Sequence, residues 1–236
     1  MPSIAVLMAT YMRSDGKSPF YLKRALDSVF SQKYQSFKVF VIGDKYESES
    51  EFLNLVKDYP KEKIYYENLP YAKERDKYVN PQFLWSTGGV NAINHALDKA
   101  LSEGFDYMAH LDHDDWWTPE HLQVINEVVE ETNADWVCTK STYMKEFLPR
   151  IVTDKKYVEF PPTFAGVINS STCINFKTIP IRYRNVFEED KIVVPADADR
   201  WLRCAKYITE NNLRSYFANV LTCFHDEETF INKRGL

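Results

Sequence analysis

The 236-residue sequence has only four cysteines, Cys138, Cys173, Cys204 and Cys223, and no two of them form a CxxC pair. That spacing argues against a zinc cage, and a chain of this length can build a core without disulfides. Free thiols in a cytoplasmic protein are the expectation. No stretch of 18 apolar residues occurs, so no transmembrane segment is expected, and nothing ahead of Ser3 reads as a signal peptide. Basic runs are missing too: 29 Lys and Arg face 34 Asp and Glu, for a net charge of -5. A nucleic-acid partner would need concentrated positive charge, so that class is set aside. A diphosphate ligand stays compatible if a divalent cation neutralises it. No linker rich in Gly, Pro or Ser and no internal repeat divides the chain, so residues 1–236 are read as one domain.

Aromatic residues, by contrast, are plentiful, with 15 Tyr, 15 Phe and 5 Trp. Most such side chains fill cores, and a few could wall a sugar site. The first half alternates strand and helix patterns. Residues 3–10 form an apolar run suited to a buried parallel strand. Leu22, Ala25, Leu26, Val29 and Phe30 then mark one face of a helix. Strands are expected at 37–42, 64–66 and 107–111, with a charged helix at 49–57 and another opened by Gly88-Gly89. Residues 68–85 show no period and are read as a long loop. Thr118 and Pro119 have the residue types of a cap and first turn for a further helix. Shorter strands near 136–139, 171–176 and 215–224 and a helix at 196–210 complete the pattern. The order implies an α/β fold with a mostly parallel central sheet, flanked by helices, and a smaller mixed β region in the C-terminal half.

Ligands of open parallel sheets bind beyond the carboxyl ends of the strands. Three such ends carry polar residues: Thr10 and Tyr11 with Arg13, then Asp44, then Asp112-His113-Asp114-Asp115. Carboxylates clustered after a buried strand suit Mg²⁺ or Mn²⁺, which take one or two protein carboxylates plus substrate phosphate. The plainer alternative is a solvated turn of capping aspartates. An EF-hand is excluded, because Trp117 stands where its Gly and Gln123 where its Glu would be. A dehalogenase-type phosphatase would want such a motif on the first strand.

These segments resemble the family 2 glycosyltransferases, which have the GT-A fold. The resemblance begins at Val6-Leu7-Met8-Ala9-Thr10-Tyr11-Met12-Arg13 and continues through Ala25 to Gln32, Val41-Ile42-Gly43-Asp44 and Gly89 to Asn94. It is closest at His110-Leu111-Asp112-His113-Asp114-Asp115-Trp116-Trp117-Thr118-Pro119-Glu120, the DXD segment, and ends at Asp197-Ala198-Asp199-Arg200-Trp201-Leu202-Arg203. It implies an inverting, metal-dependent enzyme that moves a sugar from a nucleotide diphosphate, with UDP-sugars favoured, to a hydroxyl of a glycan, lipid-linked or protein acceptor. Residues 1–115 would form the nucleotide-sugar half and 116–236 the acceptor half. Thr10, Tyr11, Arg13, Asp44, Asn94, Asp112 and His113 would hold the donor, Asp44 accepting the uracil N–H. Asp114 and His225 would ligate Mn²⁺ or Mg²⁺, although His225 could equally be a surface histidine. Asp197 would be the general base, with Asp199 as its rival.

The sequence departs from the family pattern at Met12, at Gly43, at Lys45-Tyr46, at Ile93 and at Ala196. No nucleophile for a covalent intermediate stands out, which agrees with a single displacement. The Gln-x-x-Arg-Trp of processive synthases is missing, so single transfer is expected. A sugar nucleotidyltransferase is the alternative enzyme, though Ser14-Asp15-Gly16-Lys17 is a poor version of its loop. A degenerate sugar-binding domain is the non-enzymatic one. Trp116, Trp117 and Trp201 would either border the acceptor cleft or pack in the core.

Overall fold

The computed structural model describes residues 2–226. The chain runs through β1 (Ile4–Thr10), α1 (Ser18–Phe30), β2 (Phe37–Gly43), α2 (Glu49–Val56), β3 (Ile64–Asn68), α3 (Pro81–Thr87) and α4 (Val90–Ser102). Next come β4 (Tyr107–His110), β5 (Trp116–Trp117), α5 (His121–Thr132), β6 (Trp136–Tyr143), β7 (Glu146–Leu148) and β8 (Tyr157–Glu159). A 3-10 turn at Asn169–Ser171 leads into β9 (Thr172–Asn175), followed by α6 (Val186–Glu189), α7 (Ala196–Glu210) and β10 (Ser215–Phe224).

Among the described residues the strands form one sheet in the order β3-β2-β1-β4-β9-β6-β10-β5, with β7 beside β6 and β8 beside β10. β3, β2, β1 and β4 are parallel. β9 reverses against β4 and β6, β10 runs parallel to β6, and β5 is antiparallel to β10. The expected architecture is therefore present: a parallel half joined to a smaller mixed one.

β1 reads as an unbroken apolar run because helices cover both of its faces. Ile4, Val6 and Met8 pack with Leu22, Leu26 and Val29 of α1 and with Leu122 and Ile125 of α5. Ala5 and Leu7 point the other way, onto Ile93, Ala96 and Leu97 of α4. Each fully buried aliphatic side chain of this kind contributes roughly 1.5–3 kcal/mol. In the second half Trp201, Cys204 and Ile208 of α7 pack on Trp136, Ile174 and Phe217. This layer holds the body of α7 against the sheet, while Ala196 at the helix start belongs to the cluster of Leu7 and Ile93. Among the described residues no helix is long and apolar enough to cross a membrane.

Three local expectations are corrected. The 68–85 segment is not all loop: Asn80 accepts a bond from the Gln82 amide and Pro81 opens α3, a start signal present in the sequence. Thr118 does not cap α5. The helix begins at His121 with no side-chain cap, because Trp117 pairs with Cys223 and the Thr118 amide bonds the Thr222 carbonyl, holding the chain extended. Finally, Gly88 and Gly89 do not both open α4. Gly88 ends α3, and Gly89 turns the chain at φ +81°, a left-handed conformation that suits glycine.

Candidate active site

Because β2, β1 and β4 are parallel neighbours, their carboxyl ends share one edge. Thr10 lies level with Gly43, and Leu7 with His110. The Asp44 amide bonds the Thr10 carbonyl at 2.7 Å, so the ends of β1 and β2 are stitched together. The Thr10 hydroxyl itself is 2.8 Å from the Tyr46 hydroxyl.

At this corner Asp44 is almost fully buried, and Arg75 donates to its Oδ2 at 2.8 Å. The Arg75 guanidinium also lies 5.0 Å from the centre of the Tyr11 ring. Burial pushes the Asp44 carboxyl above its ordinary range even with Arg75 beside it. Two atoms here have no partner: Asp44 Oδ1 and Arg75 Nη2, an acceptor and a donor. Tyr11 meets His113 edge to face at 5.5 Å, and His113 Nε2 is likewise buried without a partner. Arg13 is committed mainly to Asp15, at 2.8 Å, and reaches Asp114 at 3.4 Å.

The cluster after β4 divides into two kinds of carboxylate. Asp115 is fully buried, accepting from the Ser170 hydroxyl, from His225 Nδ1 at 2.9 Å and from the Asp226 amide at 3.1 Å. It is a structural post. Asp112 and Asp114 keep 46% and 16% of their side-chain surface open, so they face the site. The Asp115 bond fixes the His225 ring and leaves Nε2 for another partner. Burial disfavours a charged His225, but the Asp115 carboxylate outweighs it and lifts the imidazole to about 9. Among the described residues no three His, Cys, Asp or Glu converge as a complete metal cage.

Asp197 sits in the first turn of α7, where its Oδ1 accepts from the Ala198 amide at 2.7 Å. Burial raises its pKa and the charge of Asp112 adds to that, while His110 opposes. Asp199, its rival, is clamped by Arg184 at 2.8 Å and Arg203 at 2.7 Å. Burial alone would raise Asp199, but the two arginines more than reverse it. Asn94 lies on α4, donates to the Tyr183 carbonyl at 2.9 Å and keeps Oδ1 buried and unpartnered. It lines a polar pocket with Glu74, Asn91, Tyr183, Arg184 and Asn185. Burial pushes Glu74 in that pocket up to about 7.

Of the tryptophans, Trp117, Trp136 and Trp201 are core residues. Trp116 is sandwiched between the Arg24 guanidinium at 3.9 Å and the Phe224 ring at 5.4 Å. Sequence reasoning missed Arg75, His110, Ser170 and Tyr183, each of which touches an expected site residue: Asp44, Asp112, Asp112 and Asn94 respectively. Only His110, inside the DXD segment, carried a local signal.

Comparison with known proteins bears on the fold and the family. The profile of glycosyl transferase family 2 matches residues 5–190. An uncharacterized glycosyltransferase of Acanthamoeba polyphaga mimivirus is 33% identical over 232 residues, covering 94% of this chain and 93% of its own length. The succinoglycan biosynthesis protein ExoW of Rhizobium meliloti is 31% identical over 135 residues, 57% of this chain and 36% of that protein. Among solved structures, a fragment of S. aureus TarS bound to UDP superposes over 99% of this chain with a TM-score of 0.68 at 17% identity. The chain spans 63% of that fragment. The mannosyltransferase PcManGT of Pyrobaculum calidifontis, in complex with GDP-Man and Mn²⁺, gives 0.59 at 15% identity over 99% of this chain and 61% of its own. The chain has the GT-A fold and belongs to glycosyl transferase family 2.

Proposed function

We propose that this glycosyltransferase moves a sugar from a UDP-sugar to an acceptor hydroxyl by a single inverting displacement, with Asp197 as general base and a divalent cation at Asp114. One observation carries the reading. Two outward carboxylates, Asp112 and Asp114, share a sheet edge with a desolvated Asp197 that no lysine or arginine pairs with among the described residues.

The base corner supports uracil. Asp44 has one oxygen taken by Arg75 and one left over, beside an unpartnered Arg75 N–H. An adjacent acceptor and donor complement the N3–H and a carbonyl of uracil or thymine. The paired N1–H and N2–H of guanine would ask for both carboxylate oxygens. Tyr11 offers its ring beside this pair, and Thr10, Arg13 and His113 surround it. The printed complexes of TarS with UDP and UDP-GlcNAc are consistent with such a donor.

Asp114 and the Nε2 of His225, its proton displaced by the ion, would hold Mn²⁺ or Mg²⁺. The set fits: a hard oxygen donor and an imidazole pre-oriented by Asp115, with remaining positions left for diphosphate oxygens. The ion would stabilise charge on the departing diphosphate. Asp112 would contact the ribose or donor sugar, and Asn94 would face the sugar from α4. Asp197 takes the proton of the acceptor hydroxyl as its oxygen bonds to the anomeric carbon, and its raised proton affinity suits that task. Residues 1–115 form the donor half and 116–236 the acceptor half.

The test is Asp197→Asn with an activated UDP-sugar. Nucleotide binding should persist, and transfer should fall by roughly 10²–10⁴-fold, the usual worth of a positioned base. NMR of the wild-type product should show the opposite anomeric configuration to the donor. Retention of configuration, or full turnover in the variant, would sink the assignment.

A further inference from the structure

We infer that His110 is a positioning residue for Asp112, held for that purpose by a buried Arg200–Tyr183–Asn169 set that no pattern in the sequence announces. The inference rests on the donor-binding reading of Asp112.

The argument is a count of hydrogen bonds. The Tyr183 hydroxyl meets Asn169 Oδ1 at 2.6 Å, Arg200 Nη1 at 2.9 Å and His110 Nδ1 at 3.2 Å. A phenol donates once and accepts twice, and Arg200 can only donate. Two patterns therefore satisfy the group. Tyr183 donates to Asn169 and accepts from His110 Nδ1–H, or it donates to Nδ1 and accepts from the Asn169 amide turned end for end. In both, the other face of the ring is decided by Asp112. Its Oδ1 lies 3.0 Å from His110 Nε2, and an ionised carboxylate can only accept. Nε2 must carry a proton, and Asp112 is left with its second oxygen for the donor.

The surroundings agree. His110 is 6% exposed and Tyr183 7%, so water does not compete for these bonds. Arg200 also stacks on Tyr183 at 4.3 Å and donates to the Ile181 carbonyl at 3.0 Å. It stands on α7, three residues after Asp197. The set thus ties the helix that carries the base to the strand end that carries Asp112, and through the Tyr183 carbonyl it also holds Asn94.

The experiment has two arms. In the ligand-free protein, ¹⁵N-imidazole NMR should show a slowly exchanging Nε2–H, lost in His110→Leu and displaced in Asp112→Asn. In the second arm, UDP with Mn²⁺ is titrated by calorimetry. His110→Leu should weaken binding about tenfold, the worth of one charge-assisted hydrogen bond, and Tyr183→Phe by several-fold. His110→Gln, whose amide reaches the same point, should restore affinity to within about threefold and melt near wild type, whereas Tyr183→Phe should also melt lower because Arg200 and Asn169 lose a buried partner. A wild type without a protected Nε2–H overturns the inference. So does a His110→Gln that melts like wild type and binds no better than His110→Leu. A protected Nε2–H that Asp112→Asn displaces, in a protein that binds no UDP, supports the positioning of Asp112 and overturns its donor role.

Discussion

Two residues apart on α7, Asp197 and Asp199 meet different surroundings. Asp199 is held by Arg184 and Arg203, whereas for Asp197 burial, with the Asp112 charge, outweighs the Ala198 amide and His110. Asp199→Asn should therefore cost stability, about 2–4 kcal/mol for breaking a largely buried ion pair, while the folded fraction keeps turnover within several-fold. A variant that folds normally and loses transfer would make Asp199 the base. Gly43 is informative in the same way. A Cβ there would stand 2.7 Å from Asn68 Oδ1 and 3.0 Å from the Phe52 ring. Asn68 cannot yield, because it bonds the amide and carbonyl of Tyr46. Gly43→Ala should lose about 1–3 kcal/mol, and a melting temperature unchanged from wild type would contradict the contact. The sequence showed that Gly43 departs from the family pattern. The reason, a side chain from β3 filling the space, lies outside any local window.

At the scale of elements, the strongly periodic segments were legible and the short ones were not. β1, α1, α4 and α7 carry enough apolar positions to declare their faces. β5, β7, β8 and α6 are two to four residues long, too short to show a period, and exist because neighbours pair with or pack against them. The same pairing misled the reading of Thr118, since β5 keeps the chain extended past the best capping residue. It also buries His121 at the start of α5, stacked 4.1 Å from Trp117 and bonded through Nδ1 to the Thr222 hydroxyl. Burial lowers this imidazole to about 3. Between about 6.5 and 3 the unfolded chain binds a proton that the folded chain refuses, so stability falls as pH drops through that window. From pH 6.5 to 5 this group alone removes up to about 2 kcal/mol, at ~1.4 kcal/mol per pH unit. Glu74, raised to about 7, acts oppositely and loses stability as pH rises from its unfolded value. Urea unfolding of wild type and His121→Gln at pH 7 and pH 5 separates the two. The variant should be less sensitive to acid, and an identical pH response would refute a neutral buried His121.

For the whole molecule, the acidic balance and the order of strands pointed to a cation-assisted diphosphate site at one sheet edge. The carboxylates Asp44, Asp112 and Asp114 stood out because strand ends are where a sheet of this type places its chemistry, and Asp197 stood out through the family resemblance. Their partners were not. Arg75 lies 31 residues from Asp44, Ser170 55 from Asp115 and Tyr183 73 from His110, so only the folded chain brings them together. The most direct test of the central claim is calorimetric titration with UDP, GDP and TDP, each with and without Mn²⁺, on wild type and Asp114→Ala. The account predicts Mn²⁺-dependent binding of UDP, weaker binding of GDP, and loss of the Mn²⁺ dependence in Asp114→Ala. Binding of no nucleotide, or UDP binding indifferent to both Mn²⁺ and Asp114→Ala, would contradict it.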